Sequence, residues 1–423
     1  MTMTRTHAFL LIVALGLCNP AAMAAAPQTR AIASAADPSD ALFDDAAVQE
    51  IRLLVNARDW QTLKTTALEN TYYPCDFQWG SQVVRNAGLR SRGNGSRSGT
   101  KPGLRIDFDR YSTDQTFLGL KSVVLRNNTQ DASNMRERLS MLLFRRLGLP
   151  ASREAHTKLY VNNVFAGVYT IVESVDKDFV KRNFGEDGGW IFKYDYPSYA
   201  YYFEDKGSNP DTYVPAPFKP ETHENDPRPE VVVQLVQAIN QTSDAVFRTA
   251  IAEYIDLQKF IRHVAVETFL ADYDDFLGDF GMNNFYIYRF QDRKLFQLIA
   301  WDKSQAFSSP TFSIWRKIRG VNGSQMNRLM TRALASRDLY DLYLDTLLEC
   351  IRSINEADAT DPTDTRGWLL REIDRENTQI RDAVFLDPQK NYTNEQFDGE
   401  VSKLREFAQQ RGDFVTAEVN ASR

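Results

Sequence analysis

Apolar positions recur at two different periods along this chain, and the change of period divides it. Over residues 48–125 they alternate, as half-buried strands do. Val48–Val55, Gln82–Arg90, Gly103–Phe108 and Leu120–Leu125 read as strands, with a short helix at Asp59–Leu68. Met135, Leu139, Leu142, Leu143 and Leu147 then fall on one helical face, which Asp131 or Ser133 can cap and Gly148 and Pro150 end. His156–Val161 and Val164–Glu173 form a hairpin about an Asn162-Asn163 turn. From Glu230 the helical period dominates, with helices at Leu257–Leu270, Leu339–Ile354, Arg366–Ala383 and Asn394–Gln410. Only Asn284–Phe290 and Leu295–Ile299 interrupt it as strands.

Strands feeding helices predict an α+β fold of two lobes, a β-rich one over 41–194 and a helical one over 229–423. Between them, 195–228 is rich in Tyr and Pro and reads as a surface insertion or linker. At the other end, Arg5 and His7 precede the apolar run Ala8–Leu17, and Ala22-Met23-Ala24 is a small-x-small cleavage pattern. Residues 1–24 therefore read as a signal peptide and 25–40 as a flexible leader, so the expected location is exported: periplasmic, extracellular or cell-surface. The run is too short to span a bilayer, and no later segment is longer.

Composition narrows the classes. An apolar fraction of 43% describes a folded chain of 423 residues, and a formal charge of −6 without a basic face argues against a nucleic-acid partner. Beyond the leader two cysteines remain, Cys75 and Cys350, 275 residues apart, as a disulfide or as two buried thiols. His156, His223 and His263 have no partner at zinc-ligand spacing.

The candidate chemistry concentrates in Asp279-Phe-Gly-Met-Asn-Asn284 and in Trp301-Asp302-Lys303-Ser304, which places a second carboxylate 23 residues after Asp279. An acid, an amide five residues later and an acid beyond a hairpin is the arrangement phosphoryl-transfer enzymes of the kinase type use for base and metal. Asp279 is the candidate base, with Asp275 second; Asn284 and Asp302 are candidate metal ligands. The run Asp272, Asp274, Asp275, Asp279 needs either a cation or solvent to relieve its repulsion. The Gly/Ser loop Arg92–Lys101 can cover phosphates with Arg92 and Ser96, or be a hairpin tip; it matches neither Walker A nor the kinase glycine pattern. Lys101 and Arg105 are candidate phosphate cations or solvated basic residues, Arg105 pointing away from the face of Leu104 and Ile106. Glu137 is the candidate partner of that cation or a surface ion-pair member. Glu173 ends its strand where a nucleotide base would meet a connector, or is an acid at a helix start. Arg411-Gly-Asp413 reads as a chance tripeptide beside a core stripe of Phe407, Phe414 and Val415.

Several ordered segments carry a resemblance. They are Leu89–Ser96, Phe117–Leu125, Met135–Leu139 with Leu147–Ala151, Leu159–Asn163 with Gly167–Glu173, Asn284–Tyr288, and Trp301-Asp302. Together, over about 45–415, the chain resembles the spore-coat protein H (CotH) family of atypical kinase-like proteins. The resemblance implies transfer of the ATP γ-phosphate to Ser/Thr of a secreted or surface protein, with Mg²⁺ or Mn²⁺. It carries Asp279 as base, Asp302 as metal ligand, and Lys101 or Arg105 as cation. Ser304 departs from the family pattern, which often has a second acid two residues after the Trp-Asp. AMP transfer on the same fold, or a degenerate scaffold, are the alternatives.

Overall fold

Alternation in the first half closes on itself. In a computed structural model, which describes residues 37–318 and 326–423, seven strands form a barrel in the order β1-β2-β3-β4-β5-β7-β6. They are β1 (Gln49–Val55), β2 (Tyr73–Trp79), β3 (Gln82–Ser91), β4 (Leu104–Asp107), β5 (Ser122–Arg126), β6 (Glu154–Val161) and β7 (Val164–Glu173). All neighbours are antiparallel except β1 and β6, whose parallel pairing (Ile51 opposite Leu159) shuts the barrel and removes its open edges. The β6–β7 turn uses Asn162 and Asn163 at φ 50° and 65°, the positive values a tight hairpin turn requires. Every second residue points inward: Ile51, Leu53, Phe77, Leu89, Leu104, Ile106, Val123 and Leu125 are fully buried together.

Helix α1 (Ala57–Thr65) spans β1 to β2, and α2 (Arg136–Arg146) spans β5 to β6. Asp131 does cap α2, accepting the Arg136 N–H at 2.9 Å from outside the helix, while its other oxygen accepts the Ser133 N–H at 2.9 Å. After α3 (Lys177–Phe184) comes a second sheet in the order β11-β10-β8-β9, built from β8 (Trp190–Tyr194), β9 (Phe218–Pro220), β10 (Phe285–Arg289) and β11 (Phe296–Ala300). Helices α4 (Glu230–Gln241), α5 (Phe247–Ile251), α6 (Leu257–Phe269), α7 (Arg328–Leu334), α8 (Arg337–Ile354), α9 (Trp368–Phe385) and α10 (Asn394–Ser422) complete the α+β architecture. A third apolar cluster, including Val124, Val172, Ile191, Tyr286 and Trp301, joins the outer face of the barrel to the second sheet. The chain from Pro38 to Arg423 is one compact unit.

Two segments differ from their sequence reading. The 195–228 stretch carries strand β9 and buries Tyr201, Tyr202, Phe203, Tyr213 and Phe218 in the main helical core. Tyr201, Tyr202 and Tyr213 are thus core residues with polar tips, which polarity-based reading assigns to the surface, while Tyr199 is exposed. The end of the leader is also docked: Ser39 is buried and Asp40 pairs with Arg153 at 2.5 Å. The signal-peptide assignment lies outside the described residues. Cys75 and Cys350 are buried free thiols in separate clusters. Arg411 is fully buried and donates to the carbonyls of Thr268, Phe269, Pro310 and Phe312, so the arginine of the Arg-Gly-Asp tripeptide is core while Asp413 is exposed.

Candidate functional site

Strand β5 is buried on both faces, and its alternation sets up the site. Val123 and Leu125 enter the barrel, so Val124 and Arg126 face out toward the second sheet. Arg126 ends the strand and bridges two acids, Glu137 Oε2 at 2.7 Å and Asp302 Oδ2 at 2.8 Å. Its guanidinium also lies 5.0 Å from the Trp301 ring centre. Glu137 is presented by the first turn of α2.

Asp302 arrives by way of the β10–β11 hairpin. The register Phe285 opposite Ala300 sets Asn284 beside Trp301, whose N–H donates to the Asn284 carbonyl at 3.2 Å. Asn284 and Asp302 both have positive φ, 56° and 48°, a conformation Asn and Asp tolerate better than other side chains. Burial alone would push the Asp302 carboxyl up. Arg126, by charge and hydrogen bond, then Ser304 Oγ at 3.0 Å and Arg92 outweigh it, and hold the carboxyl down to about 2. Asp302 is therefore an anion at neutral pH. Glu137 is pushed well above the usual range, first by burial and then against the opposing pull of Arg126.

The Gly/Ser loop closes over this triad. A half-enclosed cleft is lined by Arg92, Ser96, Arg126, Asn127, Glu137 and Ser304, among others. Arg92 lies 5.5 Å from the Trp301 ring; burial and the like charge of Arg126 pull its guanidinium down to about 10. Arg126 Nη2 and Glu137 Oε1 are buried without hydrogen-bond partners. Two crowded guanidiniums and an orphaned buried donor are what a phosphate would satisfy. The enclosed space is about 30 Å³, room for a water or two, so a nucleotide needs the loop to open.

Other sequence candidates are placed elsewhere. Lys101 turns away, burying its ammonium on Asp387 at 2.7 Å and over Tyr169, with both members of the pair essentially unexposed. Asp387 also accepts the Val168 N–H at 2.9 Å, so the pair ties β7 and the Gly/Ser loop to the turn after α9. Arg105 does face away from Leu104 and Ile106, and pairs with Asp107 at 2.6 Å. Glu173 is buried and saturated by Arg153 (2.7 Å) and Arg182. The structure thus brings Arg92, Ser96, Glu137 and Asp302 together around Arg126, without Lys101, Arg105 or Glu173.

The acidic run divides by burial. Asp272 and Glu267 hold the fully buried Lys303 at 3.5 and 2.7 Å. Asp275 is also fully buried against Lys317, and burial pushes its carboxyl up to about 8. Asp279 is only partly covered: Arg316 Nη2 meets its Oδ2 at 2.8 Å, and its Oδ1 is buried without a partner. Gly281 makes the tight turn after it, at φ +120°, where an added Cβ would sit 2.9 Å from the Ala200 backbone. Asn284 Nδ2 donates to Asp274, at 2.7 Å to the carbonyl and 3.0 Å to the carboxylate. The Asp274 carboxyl is raised, by burial first and by Asp272 and Asp302 among its neighbours.

No group of three or more His, Cys, Asp or Glu residues among the described ones is arranged to hold a metal by itself. Asp302, Asp274 and the Asn284 amide are oxygen donors of the kind Mg²⁺ accepts, since it takes one or two carboxylates and completes its shell with phosphate and water.

Arg126 and Lys317 were missed from sequence, and Asp274 and Lys303 were read there only as members of their runs, without these partners. The alternation through Val123-Val124-Leu125 could have found Arg126, one residue beyond the expected strand end. The family model described as "CotH kinase protein" matches residues 89–415. The inner spore coat protein H of Bacillus subtilis (strain 168) is 24% identical over 366 residues, covering 86% of this chain and 95% of that protein. With that match spanning most of its length, the chain belongs to the CotH kinase protein family.

Proposed function

We propose that the protein is a kinase of the CotH type, transferring the γ-phosphate of ATP to Ser or Thr of a coat, surface or secreted protein. Family membership supports the kinase-type chemistry, and the relative's name supports a coat or surface setting. No helix among the described residues is long and apolar enough to cross a membrane. The barrel takes the part of the nucleotide-binding lobe and the helical core the part of the second lobe. The observation that carries the reading is Arg126 joined to both Glu137 and Asp302 beneath a Gly/Ser loop. In this proposal Arg126, rather than Lys101 or Arg105, is the phosphate cation, assisted by Arg92 and Ser96.

Asp302 and Asn284, with Asp274 behind them, would hold Mg²⁺ or Mn²⁺. A divalent ion there supplies charge neutralisation and alignment of the phosphates. Glu137 would hold Arg126 while Asp302 served the ion, so the cation would keep one buried partner. Asp279 takes the proton of the acceptor hydroxyl. Oriented donors in a closed, water-poor cleft supply most of the rate enhancement such chemistry requires.

A second reading, a degenerate scaffold, is favoured by two observations: Ser304 occupies the position of a second acid, and Arg126 already holds Asp302. Thermal denaturation with and without ATP and Mg²⁺ separates the two. Stabilisation that needs both supports the kinase, and none at saturating nucleotide supports the scaffold. Label from γ- but not α-labelled ATP then distinguishes phosphate from AMP transfer.

A further inference from the structure

The proposed base is not open to an acceptor. Oδ1 of Asp279 is buried, so a hydroxyl can approach only Oδ2, and Arg316 Nη2 sits there at 2.8 Å. A proton acceptor must come within about 2.6–3.2 Å of the hydroxyl it serves, so substrate and Arg316 compete for one oxygen.

The residues on either side of Arg316 cannot yield. Trp315 stacks on Tyr340 at 5.4 Å and donates from Nε1 to Ser422 at 2.9 Å. Lys317 is buried, donating to the Asp272 carbonyl at 2.7 Å and pairing with Asp275. Between these anchors the Arg316 side chain is 45% exposed and reaches Asp279 through one nitrogen. The guanidinium also lies 5.3 Å from the Phe312 ring; with the arginine end of the pair in solvent, such contacts contribute little, so the side chain can swing while the backbone stays.

We infer that Arg316 is an acceptor-reading gate, which an acidic residue flanking the target Ser or Thr draws off Asp279 and then pairs with. The inference rests on the kinase reading above. A neutral acceptor strips Arg316 of its carboxylate and returns nothing; an acidic one replaces the lost partner, and the difference between the two is selectivity.

The test uses the full chain with Mg²⁺ and ATP and three peptides: one Ser flanked on both sides by Glu, its Gln isostere and its Lys counterpart. Wild type should favour the Glu peptide over the Gln peptide in kcat/KM by about two- to fivefold, the scale of one exposed ion pair. Arg316→Ala should bring that ratio to about one, and Arg316→Glu should turn the preference toward the Lys peptide. A wild type indifferent to the flanking charge, or an Arg316→Ala enzyme that keeps the preference, overturns the gate while leaving the kinase standing. A wild type that phosphorylates no peptide and gains no stability from nucleotide overturns both.

Discussion

Replacing Lys101 separates a structural cation from a catalytic one. Its ammonium is 1% exposed, and Asp387 is fully buried. In Lys101→Met the methionine fills most of the stem's volume but leaves Asp387 charged, with the Val168 and Gln389 N–H groups as its remaining donors. Removing one partner of a buried pair costs about 3–5 kcal/mol. For a unit of this size that lowers Tm by about 5 °C, since the unfolding entropy grows with chain length. Lys101→Met should therefore unfold earlier in differential scanning calorimetry, yet still be stabilised by ATP with Mg²⁺. Arg126→Met should lose that ligand-induced shift. The reasoning is refuted if Lys101→Met keeps the wild-type Tm and loses the nucleotide response.

Other outcomes follow from single contacts. Gly281→Ala puts a Cβ against the Ala200 backbone at positive φ, so it should destabilise by about 1–3 kcal/mol in chemical denaturation and lower kcat by disturbing Asp279. His156 is buried, with Nε2 2.8 Å from the Asn134 carbonyl; burial first, then Arg138, pulls it down to about 3. The unfolded chain binds its proton near 6.5, so the stability His156 contributes is complete above that pH and is lost as pH falls toward 3, by at most about 1.4 kcal/mol per unit. Denaturation of His156→Gln should accordingly show a shallower fall of stability between pH 6.5 and 4 than wild type. Ser304→Asp adds a carboxylate beside Asp302 (3.0 Å from its present hydroxyl), so the variant should melt lower without divalent ions and gain more than wild type from added Mg²⁺.

What was legible in the sequence tracks local physics. Period-two alternation located β1, β3, β4 and β5, and the Asn162-Asn163 turn located the β6–β7 hairpin, because side-chain direction and φ preference are decided within a few residues. Strand β2 was missed because Pro74 and the bulge between Cys75 and Phe77 break its alternation. Barrel closure was invisible, since it depends on β1 meeting β6 a hundred residues later. The same limit governs the site. The Asp279/Asn284/Asp302 spacing was visible because one hairpin joins most of it. Lys101 and Arg126 could not be ranked, because Asp387 and Asp302 are brought to them only by the folded chain. Burial of 195–228 escaped notice because Tyr and Pro resemble loop residues until their rings are packed.

The most direct test of the account is Asp302→Ala, assayed with γ-labelled ATP and Mg²⁺ on an extract of surface proteins. Asp302 is held as an anion by Arg126 and is the proposed metal ligand. The account predicts a variant that still unfolds cooperatively, with phosphate incorporation reduced to background. A folded Asp302→Ala protein that labels its acceptor at the wild-type rate would contradict it.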